Sequence, residues 1–583
     1  MNARIDLSRR VLRQAVRVLR RVPGNMLARD LYERLSPSQR QSRQMDSEQV
    51  TRLWSAYPDV LNELRQPHRT DRVVLIIGQG RPIFAFLETA IRYAFRLAGY
   101  RAVVLIPSSR QVKQAYRALG EDTTCELHDF QSLRPEKLKA AELCFSNLDE
   151  LLDIRRGEVR CGKYAASTLM RSLRVGQFDF SNPVVKARAL EALAYSVDNA
   201  LTAKRLIDRL KPDAAVFVDR GYSPAGELFD TCIERDIPAY TWNAGHRNDI
   251  VMLKRYKRHN ADEHPFSLSP ESWKSAKEVP WYDSIREAVL RELTDCYQSG
   301  EWFGEVATQL YKKAVAEEEL RGRLGIDPSK KTAVIFPHIF WDGTFFWGDD
   351  LFGSYEKWFE AVLQEAARNP SVNWIIKVHP ANLVKDQRDG YTGEHSEVSA
   401  IKRCLGELPE HIKLLPADAE ISTLSLFCVS NYCLTVRGTV GIEAACFGIP
   451  VLTAGTGRYD RHGFTIDSSS REEYLARLRS IQDIPPITRV QVELACRYAY
   501  ATLLCRPAPV RPFGLHFSKD QQANMEVSIS TSANASLSES EDLRRIARWI
   551  ASGAEDFIMF ERLKAHASDV GGPSQEPNWI HHA

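Results

Sequence analysis

Hydrophobic positions along the chain form two blocks in which β-branched apolar runs alternate with stretches of helical periodicity. Continuous apolar runs of this kind are typical of parallel strands buried on both faces. The first block contains predicted strands at 72–78, 101–107, 214–219 and 237–243 and predicted helices at 83–97 and 225–235. The second block contains predicted strands at 331–337, 373–380, 411–416, 431–436 and 449–455 and predicted helices at 354–368 and 439–447.

Alternating strands and helices predict an α/β fold with a doubly wound sheet in each block. We therefore expect two Rossmann-like domains that face each other across a cleft, with extra helices at both ends of the chain. The expected organisation is an N-terminal helical segment (1–70), a first Rossmann-like domain (71–265), a charged helical connector (266–330), a second Rossmann-like domain (331–510) and a linker with a last helix (511–583).

Two segments outside the blocks have their own patterns. Residues 5–21 predict an amphipathic helix, with aliphatic side chains on one half of the helical wheel and six arginines on the other. Such a helix suits the surface of an anionic membrane, or it packs on the protein's own domain. Residues 527–540 are rich in serine and predict a flexible linker before a helix at 541–565.

Composition narrows the classes of function. The 78 basic and 75 acidic residues give a net charge of +3, which does not favour a nucleic-acid binder. The 11 cysteines include no Cys-x-x-Cys pair, so we expect buried thiols in a reducing cytoplasm. No run approaches 18 apolar residues, so no transmembrane helix is expected.

The most informative motif is TVRGTVGIEAACFGIPVLTAGTGRYDRHGFT (435–465), where a strand ends and a helix begins at about Thr439. A helix start presents unpaired N–H groups that suit a phosphate, and Gly438 and Gly441 let a ligand approach the backbone. Arg437 adds a forked charged contact, and Glu443 could accept hydrogen bonds from a ribose diol. An ordinary βαβ turn with a solvated glutamate would have the same pattern.

Further candidates follow other strands, and ligands of open α/β sheets bind at the carboxyl ends of the strands. Arg458 lies in a second glycine-rich loop, after the strand at 449–455. His379 closes the strand in KVHPANL (377–383), where it could donate a hydrogen bond or a positive charge to a phosphate or leaving group. The alternative is a strand-end histidine satisfied by the backbone.

An aromatic loop follows the strand at 331–337, with Asp342 between its aromatic residues. These aromatic residues are Trp341, Phe345, Phe346 and Trp347. Aromatic side chains at this position suit stacking on a sugar or a base, and they equally suit a hydrophobic loop that covers the domain interface. We place Asp342 among the candidate donor-binding residues.

The first block offers two candidates for a catalytic base. Asp219 ends a predicted strand, and Glu227 lies in the helix that follows. A carboxylate at the cleft could deprotonate an acceptor hydroxyl, although a helix cap or a solvated carboxylate would look the same. Gly245-His246-Arg247, after the next strand, is a weaker companion.

Several other sites are excluded by their motifs. GQG (78–80) is not a dinucleotide fingerprint, because residue 83 is isoleucine where that motif has glycine. The sequence has no P-loop, no Gly-x-Ser-x-Gly, no cluster of carboxylates that would hold magnesium and no His/Cys cluster at zinc spacing. We therefore expect no cofactor and no metal.

KVHPANL, followed some 50 residues later by VRGTVGIEAACFGIPVLTAGTGRYDRHGFT, resembles the carboxy-terminal domain of bacterial capsule polysaccharide biosynthesis proteins. That family includes Kdo-transferring enzymes and is distantly similar to polysialyltransferases with their His-Pro motif. The similarity covers residues 331–470, including WDGTFF, and extends loosely to YSPAGELFDTCIERDIPAYTWN in the first block.

The resemblance implies a GT-B glycosyltransferase without a metal requirement, which transfers a sugar from a nucleotide-activated donor to a surface polysaccharide or glycolipid. By motif, the donor site would contain His379, Arg437, Gly438, Thr439 and Glu443. The family often has a Ser-Ser or Asn-Ser pair where this chain has Arg437-Gly438-Thr439. The nucleotide therefore stays open between CMP, UDP and GDP.

Two other functions fit the same scaffold. A sugar-nucleotide epimerase would turn over the donor without an acceptor, and a non-catalytic assembly factor at the membrane would bind nucleotide without turnover. For all three, we expect the protein in the cytoplasm, with a peripheral membrane contact through 5–21.

Overall fold

The computed structural model describes most of the chain. The described residues are 58–79, 84–106, 110–120, 124–126, 144–248, 250–303, 308–309, 311–510, 515–519, 525–529, 536–559 and 561–562. The predicted amphipathic helix 5–21 lies outside them.

Fifteen strands are found in the described part of the chain. They are β1 (Val73–Ile77), β2 (Arg101–Ile106), β3 (Thr124–Glu126), β4 (Ala214–Phe217), β5 (Ala239–Ala244), β6 (Ile250–Tyr256), β7 (Thr332–Ile335), β8 (Asn373–Lys377), β9 (Ile412–Leu415), β10 (Tyr432–Thr435), β11 (Val451–Thr453), β12 (Ile466–Asp467), β13 (Ala508–Pro509), β14 (Leu515–Lys519) and β15 (Met525–Ile529).

Eighteen α-helices are found in the same residues. They are α1 (Pro58–Arg65), α2 (Phe84–Leu97), α3 (Arg110–Ala118), α4 (Leu148–Leu152), α5 (Cys161–Leu173), α6 (Pro183–Leu210), α7 (Ala225–Glu234), α8 (Pro270–Glu278), α9 (Asp283–Ser299), α10 (Glu317–Leu324), α11 (Tyr355–Arg368), α12 (Ala381–Asp389), α13 (Ser396–Leu405), α14 (Thr423–Val429), α15 (Thr439–Cys446), α16 (Arg471–Arg479), α17 (Arg489–Ala499) and α18 (Glu541–Ser552).

The two large sheets have the same winding. The first has the order β13-β6-β5-β4-β1-β2-β3, and the second has the order β12-β11-β10-β7-β8-β9. The second sheet is parallel throughout, whereas β6 runs antiparallel to both β5 and β13 in the first. Each sheet reverses its winding beside its first strand, which is the doubly wound arrangement. The predicted α/β fold with two Rossmann-like domains is confirmed.

This topology places the candidate site. Ligands bind doubly wound sheets outside the carboxyl ends of the strands, at the point where the strand order reverses. In the first sheet that point lies between β1 and β4, and in the second it lies between β7 and β10. Asp219 follows β4, whereas Arg437 and Gly438 follow β10. These three predicted site residues therefore come from the reversal points of both sheets, whereas His379 follows β8 and Arg458 follows β11.

A helical layer that sequence periodicity did not reveal packs on the first domain. Helices α5 and α6 form a hydrophobic cluster with the aromatic loop that follows β7. Tyr164 of α5 stacks on Phe346 of that loop, with ring centroids 4.7 Å apart and planes 11° apart. The two domains are thus in direct contact through this layer.

The end of the described chain returns to the first domain. Leu543, Ile546 and Trp549 of α18 join the hydrophobic cluster that also contains residues of α2. Beyond α18, the carboxylate of Asp556 is buried and accepts a hydrogen bond from Lys254 of β6 at 3.0 Å. Arg506 lies 3.3 Å from the same carboxylate, so two buried cations neutralise it.

Two late segments differ from their sequence predictions. The serine-rich segment predicted as a linker contains part of β15, which pairs antiparallel with β14 over five residue pairs. The last helix ends at Ser552 because Gly553 adopts the left-handed conformation, a common way to end a helix.

Candidate functional site

Asp219 lies in the cleft, directly after β4. Its side chain keeps 46% of its surface accessible, and Arg171 of α5 forms an ion pair with it at 3.1 Å. The backbone N–H of Gly221 donates a hydrogen bond to it at 3.3 Å. The surrounding cleft walls desolvate the carboxyl and raise its pKa; Arg171 lowers the pKa, and Asp342 raises it further. The structure therefore brings the predicted base to the cleft in contact with a cation.

Glu227 has a different position. Its side chain is 0% exposed, and its carboxylate accepts hydrogen bonds from the hydroxyls of Ser196 and Ser223 within the first domain. Burial raises the pKa of Glu227 to about 7, although both serine hydrogen bonds oppose the rise. A fully buried carboxyl has no free path to an acceptor hydroxyl, so this geometry does not favour Glu227 as the base.

Asp342 links the two domains. The hydroxyl of Tyr222 donates a hydrogen bond to one of its oxygens at 2.6 Å, and Lys385 of α12 donates to the other. Burial raises the pKa of Asp342, but the charges of Lys385 and Arg171 outweigh this effect and hold the pKa well below its usual range. Asp342 is therefore ionised, and both its oxygens already have protein partners.

The aromatic residues beside Asp342 pack between the domains. Trp341, Phe345 and Phe346 are buried in the cluster formed with α5 and α6. The guanidinium of Arg174 lies 4.9 Å from the Trp341 ring. Stacking on a sugar was one hypothesis for these rings, and their burial instead agrees with the alternative, a loop that covers the domain interface.

His379 follows β8 and is partly exposed. Its Nδ1 accepts a hydrogen bond from the backbone N–H of Ala381 at 3.2 Å. Burial and the neighbouring charge of Lys385 lower the pKa of His379 to about 4. The ring is therefore neutral at physiological pH, and its proton is on Nε2 because Nδ1 is an acceptor. His379 can donate a hydrogen bond but does not supply a positive charge.

The helix α15 begins as predicted, at Thr439, with Gly438 as its N-cap residue, and no described side chain caps it. The Gly438 N–H donates to the Thr435 hydroxyl at 3.1 Å, and the Arg437 N–H donates to Nε2 of His338 at 3.3 Å. The Gly441 N–H donates to the Gly438 carbonyl at 3.1 Å. Within the described residues, the N–H groups of Thr439 and Val440 are left without a partner at the carboxyl end of β10, where the helix dipole favours an anion.

The glycine at position 441 allows Tyr459 to pack on the start of α15. A Cβ at Gly441 would lie 2.1 Å from the Tyr459 hydroxyl oxygen, which is far inside contact distance. That hydroxyl donates a hydrogen bond to the carbonyl of Gly438 at 2.7 Å. Gly441 is therefore required by this close approach.

Arg437 and Arg458 flank the start of α15. Arg437 is 3% exposed, donates to the carbonyl of Asp349 at 3.0 Å and lies 3.7 Å from Asp350. Arg458 donates to the carbonyl of Arg437 at 3.2 Å and has no carboxylate partner among the described residues. In both guanidinium groups, Nε is buried without a hydrogen-bond partner in the described structure. An electropositive region therefore surrounds the helix start.

His264 lies within reach of these positive charges. Its backbone N–H donates to the carbonyl of Gly457, next to Arg458. Burial lowers the pKa of His264 well below its usual value, and the charges of Arg458, Arg437 and Arg220 lower it further. Charges from both domains thus act on the same part of the cleft.

Glu443 lies one turn into α15 and is 2% exposed. The hydroxyl of Tyr297, on α9 of the connector, donates a hydrogen bond to it. Burial raises the pKa of Glu443 to about 7, while the Tyr297 hydrogen bond and the Arg458 charge oppose the rise. The predicted ribose-binding carboxylate is therefore close to the helix start but already has one protein partner.

A group of metal-ligand types is also assembled outside the cleft residues above. His246, Glu292 and Cys296 offer three ligand atoms within 4.8 Å of one another. Sequence spacing did not reveal this group. Arg247 donates to both oxygens of Glu292, at 2.6 and 2.8 Å, and so neutralises the carboxylate. The arrangement fits an ion-pair network better than a cation site.

The family described as "Capsule polysaccharide biosynthesis protein" matches residues 301–484. The predicted resemblance to this family is confirmed. The matched segment includes β8 with His379 just after it, the aromatic loop, and the helix start at Gly438. No curated protein is significantly similar to the chain.

The three solved structures named here have similar folds and are distant in sequence. They include KpsC, a beta Kdo 2,4 transferase of Thermosulfurimonas dismutans (14% identity, 52% of this chain and 82% of that chain, TM-score 0.31). They also include UDP-GlcNAc 2-epimerase of Neisseria meningitidis bound to UDP-GlcNAc (12%, 73% and 95%, TM-score 0.25). A third is HepE of Anabaena in complex with UDP (13%, 73% and 93%, TM-score 0.27). At these TM-scores, the superpositions do not bear on function.

Hydropathy adds one observation on membranes. Among the described helices, none combines the length and the apolar character that crossing a bilayer would require.

Sequence reasoning missed the side chains that hold the predicted ones in place. Arg171 contacts Asp219 from 48 residues away, and Tyr222 contacts Asp342 from 120 residues away. Lys385 lies two turns beyond His379 and was not singled out. Its position on the helix after KVHP is the one sequence signal that could have identified it.

Proposed function

We propose that this protein is a glycosyltransferase of capsule polysaccharide biosynthesis that takes its sugar from a nucleotide-activated donor without a metal ion. The observation that carries the proposal is the start of α15, where helix N–H groups lie beside two arginines. Among the described residues, no side chain caps these N–H groups, and a guanidinium nitrogen of each arginine has no hydrogen-bond partner. This combination suits the phosphate of a sugar nucleotide, because the dipole and both cations attract the same anion.

The same groups would stabilise the departing phosphate during transfer. Negative charge develops on the phosphate oxygen as its bond to the anomeric carbon of the sugar breaks. Preorganised donors in a desolvated site typically contribute more to catalysis than any other single effect. In this proposal, Arg437, Arg458 and the N–H groups of Thr439 and Val440 supply those donors.

Two further residues of the second domain would complete the donor site. Glu443 would accept a hydrogen bond from the ribose of the nucleotide, in addition to the one it accepts from Tyr297. His379 would donate the Nε2 proton to the phosphate or to the sugar as a neutral ring, because its Nδ1 is already an acceptor.

Asp219 would act as the base. It would take the proton of the acceptor hydroxyl while the hydroxyl oxygen forms a bond to the anomeric carbon. The bond between the anomeric carbon and the phosphate oxygen breaks, and its electron pair stays on the phosphate. Its position after β4 and its raised pKa support this role, because a general base works best with a pKa nearer the working pH. The family match supports a capsule-type polysaccharide or glycolipid as the acceptor.

The test begins with a thermal-shift panel of CMP-, UDP- and GDP-sugars, because a ligand that binds only the native state raises the melting temperature. The donor that binds is then assayed for transfer to an acceptor. Asp219→Asn should abolish transfer while donor binding is retained. Asp208→Asn, an exposed carboxylate of the same domain that pairs with Arg235, should leave transfer unchanged.

Other outcomes would contradict the proposal. Turnover of the donor without acceptor would support an epimerase. Nucleotide binding with no turnover across a broad acceptor panel would support a non-catalytic assembly factor.

A further inference from the structure

A continuous series of contacts crosses the cleft and ends at Asp219. Lys385 donates to Asp342, and Tyr222 donates to the other oxygen of the same carboxylate. The guanidinium of Arg171 lies 4.4 Å from the Tyr222 ring and forms the 3.1 Å ion pair with Asp219. Asp342 and Lys385 belong to the second domain, whereas the other three residues belong to the first.

Tyr222 is the central member of this series. Its hydroxyl donates to Asp342 and at the same time accepts from the backbone N–H of Gly343 at 3.1 Å. Both hydrogen bonds go to the loop after β7, so the direction of the hydroxyl is fixed only while that loop is docked on the first domain. The ring of Tyr222 in turn supports the guanidinium that contacts Asp219.

We propose that Arg171, Tyr222 and Asp342 are positioning residues that form an interdomain relay, which orients Asp219 only when the loop after β7 is docked on the first domain. This inference rests on the proposed role of Asp219 as the base. It gives Asp342 a role toward the acceptor side of the cleft, rather than the donor-binding role expected from sequence.

The charges in the relay shift the pKa of Asp219 in opposite directions. Arg171 is a cation in direct contact and lowers the pKa of Asp219, whereas the ionised Asp342 raises it. Lys385 on α12 and His379, just after β8, face Asp342, and Lys385 keeps it ionised. The remaining contact that lowers the pKa of Asp219 is the backbone N–H of Gly221.

The first experiment measures the titration of Asp219 by carbon-13 NMR of protein labelled at aspartate carboxyls, with Asp219→Asn to assign its signal. Asp342→Asn should lower the midpoint, because a neighbouring negative charge is removed. Arg171→Gln should raise it, because the contacting cation is removed. Each shift should be roughly one pH unit. Shifts in the same direction, or no shift in either variant, would overturn the relay.

The second experiment keeps every charge and removes only the hydroxyl. Tyr222→Phe should lower kcat for transfer about tenfold with an unchanged KM for the donor, because the loop contact is lost while the donor site is intact. Tyr282→Phe, a partly buried tyrosine of the connector, is the matched control and should have no effect. An unchanged kcat in Tyr222→Phe, or a raised donor KM alone, would contradict the proposal.

The two experiments separate this inference from the proposed function. The NMR titration needs no turnover, so opposite shifts without any sugar transfer would leave the electrostatic relay standing and refute the proposed reaction. Transfer that requires Asp219 but does not respond to Tyr222→Phe would refute the relay alone. Circular dichroism of each variant identifies any that fail to fold.

Discussion

The hydroxyl of Tyr297 donates a hydrogen bond to the carboxylate of Glu443, so the connector helix α9 is tied to the helix that begins at the proposed phosphate site. The two residues lie 146 positions apart in the sequence. Because Glu443 is buried, we expect a change at this residue to affect the stability of the fold as well as nucleotide binding.

Glu443→Gln should therefore bind nucleotide less tightly and be more stable at alkaline pH. Burial raises the pKa of Glu443 from 4.5 to about 7, so the folded state retains a proton that the unfolded state releases between these values. Stability then falls as pH rises through this window, by about 3 kcal/mol in total. Urea unfolding at pH 4.5 and pH 8 should show that the free energy of unfolding falls less between these pH values in the variant than in the wild type.

The pKa of Glu227 is also raised to about 7, so Glu227 likewise lowers the stability as pH rises. Glu443→Gln therefore removes only part of the pH dependence of stability. Glu318→Gln, at an exposed position of α10, is the control and should follow the wild type. An identical pH dependence in Glu443→Gln and wild type would show that Glu443 ionises normally in the folded protein.

His379→Ala should reduce sugar transfer by about 10²- to 10³-fold, which is the typical loss when one donor to the developing charge is removed. Because the pKa of His379 is about 4, its titration should not appear in the pH profile of the wild type between pH 6 and 9. Steady-state kinetics across this range would check both statements. His411→Ala, a histidine of the same domain that bonds the Ala366 carbonyl, should retain full activity.

Gly441→Ala should destabilise the second domain and weaken nucleotide binding. The new methyl group would lie 2.1 Å from the Tyr459 hydroxyl, so Tyr459 must move and give up its hydrogen bond to Gly438. Forcing a methyl group into a packed site lowers the free energy of unfolding by roughly 1 to 3 kcal/mol. Gly322→Ala is the control, because a Cβ there meets none of the described atoms within 4 Å and alanine favours the helix. Equal melting temperatures for the two variants would contradict this prediction.

Sugar transfer should survive a chelator. The proposed electrostatic stabilisation comes from arginines and helix N–H groups, and Arg247 already neutralises the carboxylate in the group of His246, Glu292 and Cys296. Activity is measured after dialysis against EDTA, with and without added magnesium, manganese or zinc. Loss of activity that one of these ions restores would refute metal independence, and Cys296→Ser would then test whether this group holds the ion.

The full chain should bind anionic liposomes through residues 5–21. Each arginine near such a surface contributes about 1 kcal/mol, so the six arginines would hold the protein weakly and reversibly. Flotation with and without residues 1–23 tests this expectation. Equal flotation of both forms, or none of the full chain, would favour packing of the helix on the protein itself.

The fold could be predicted from sequence because its signals are local. Each βαβ unit is indicated by a β-branched run, a turn and a segment of helical periodicity. The strands at Val73–Ile77 and Asn373–Lys377 accordingly lie within their predicted ranges. The antiparallel pairing of β13 with β6 could not be predicted, because it joins short segments about 250 residues apart whose patterns do not specify a partner.

The candidate site was predictable only in part, for a related reason. Residues at strand ends, such as Asp219 and His379, are marked by a polar residue that closes an apolar run. Their partners are marked by nothing local: Arg171 lies in an ordinary amphipathic helix and reaches Asp219 through the packing of α5 on the first domain. For the aromatic loop, the sequence could not distinguish rings that meet a ligand from rings that meet another domain.

The return of the last described segment to the first domain has a consequence for synthesis of the protein. Leu543, Ile546 and Trp549 complete the hydrophobic cluster around α2, and Asp556 pairs with Lys254 of β6. All residues of the second sheet leave the ribosome before these do. The second domain can therefore fold during translation, whereas the first domain completes its core only after residue 556 has emerged, even though its strands β1 to β6 were made first.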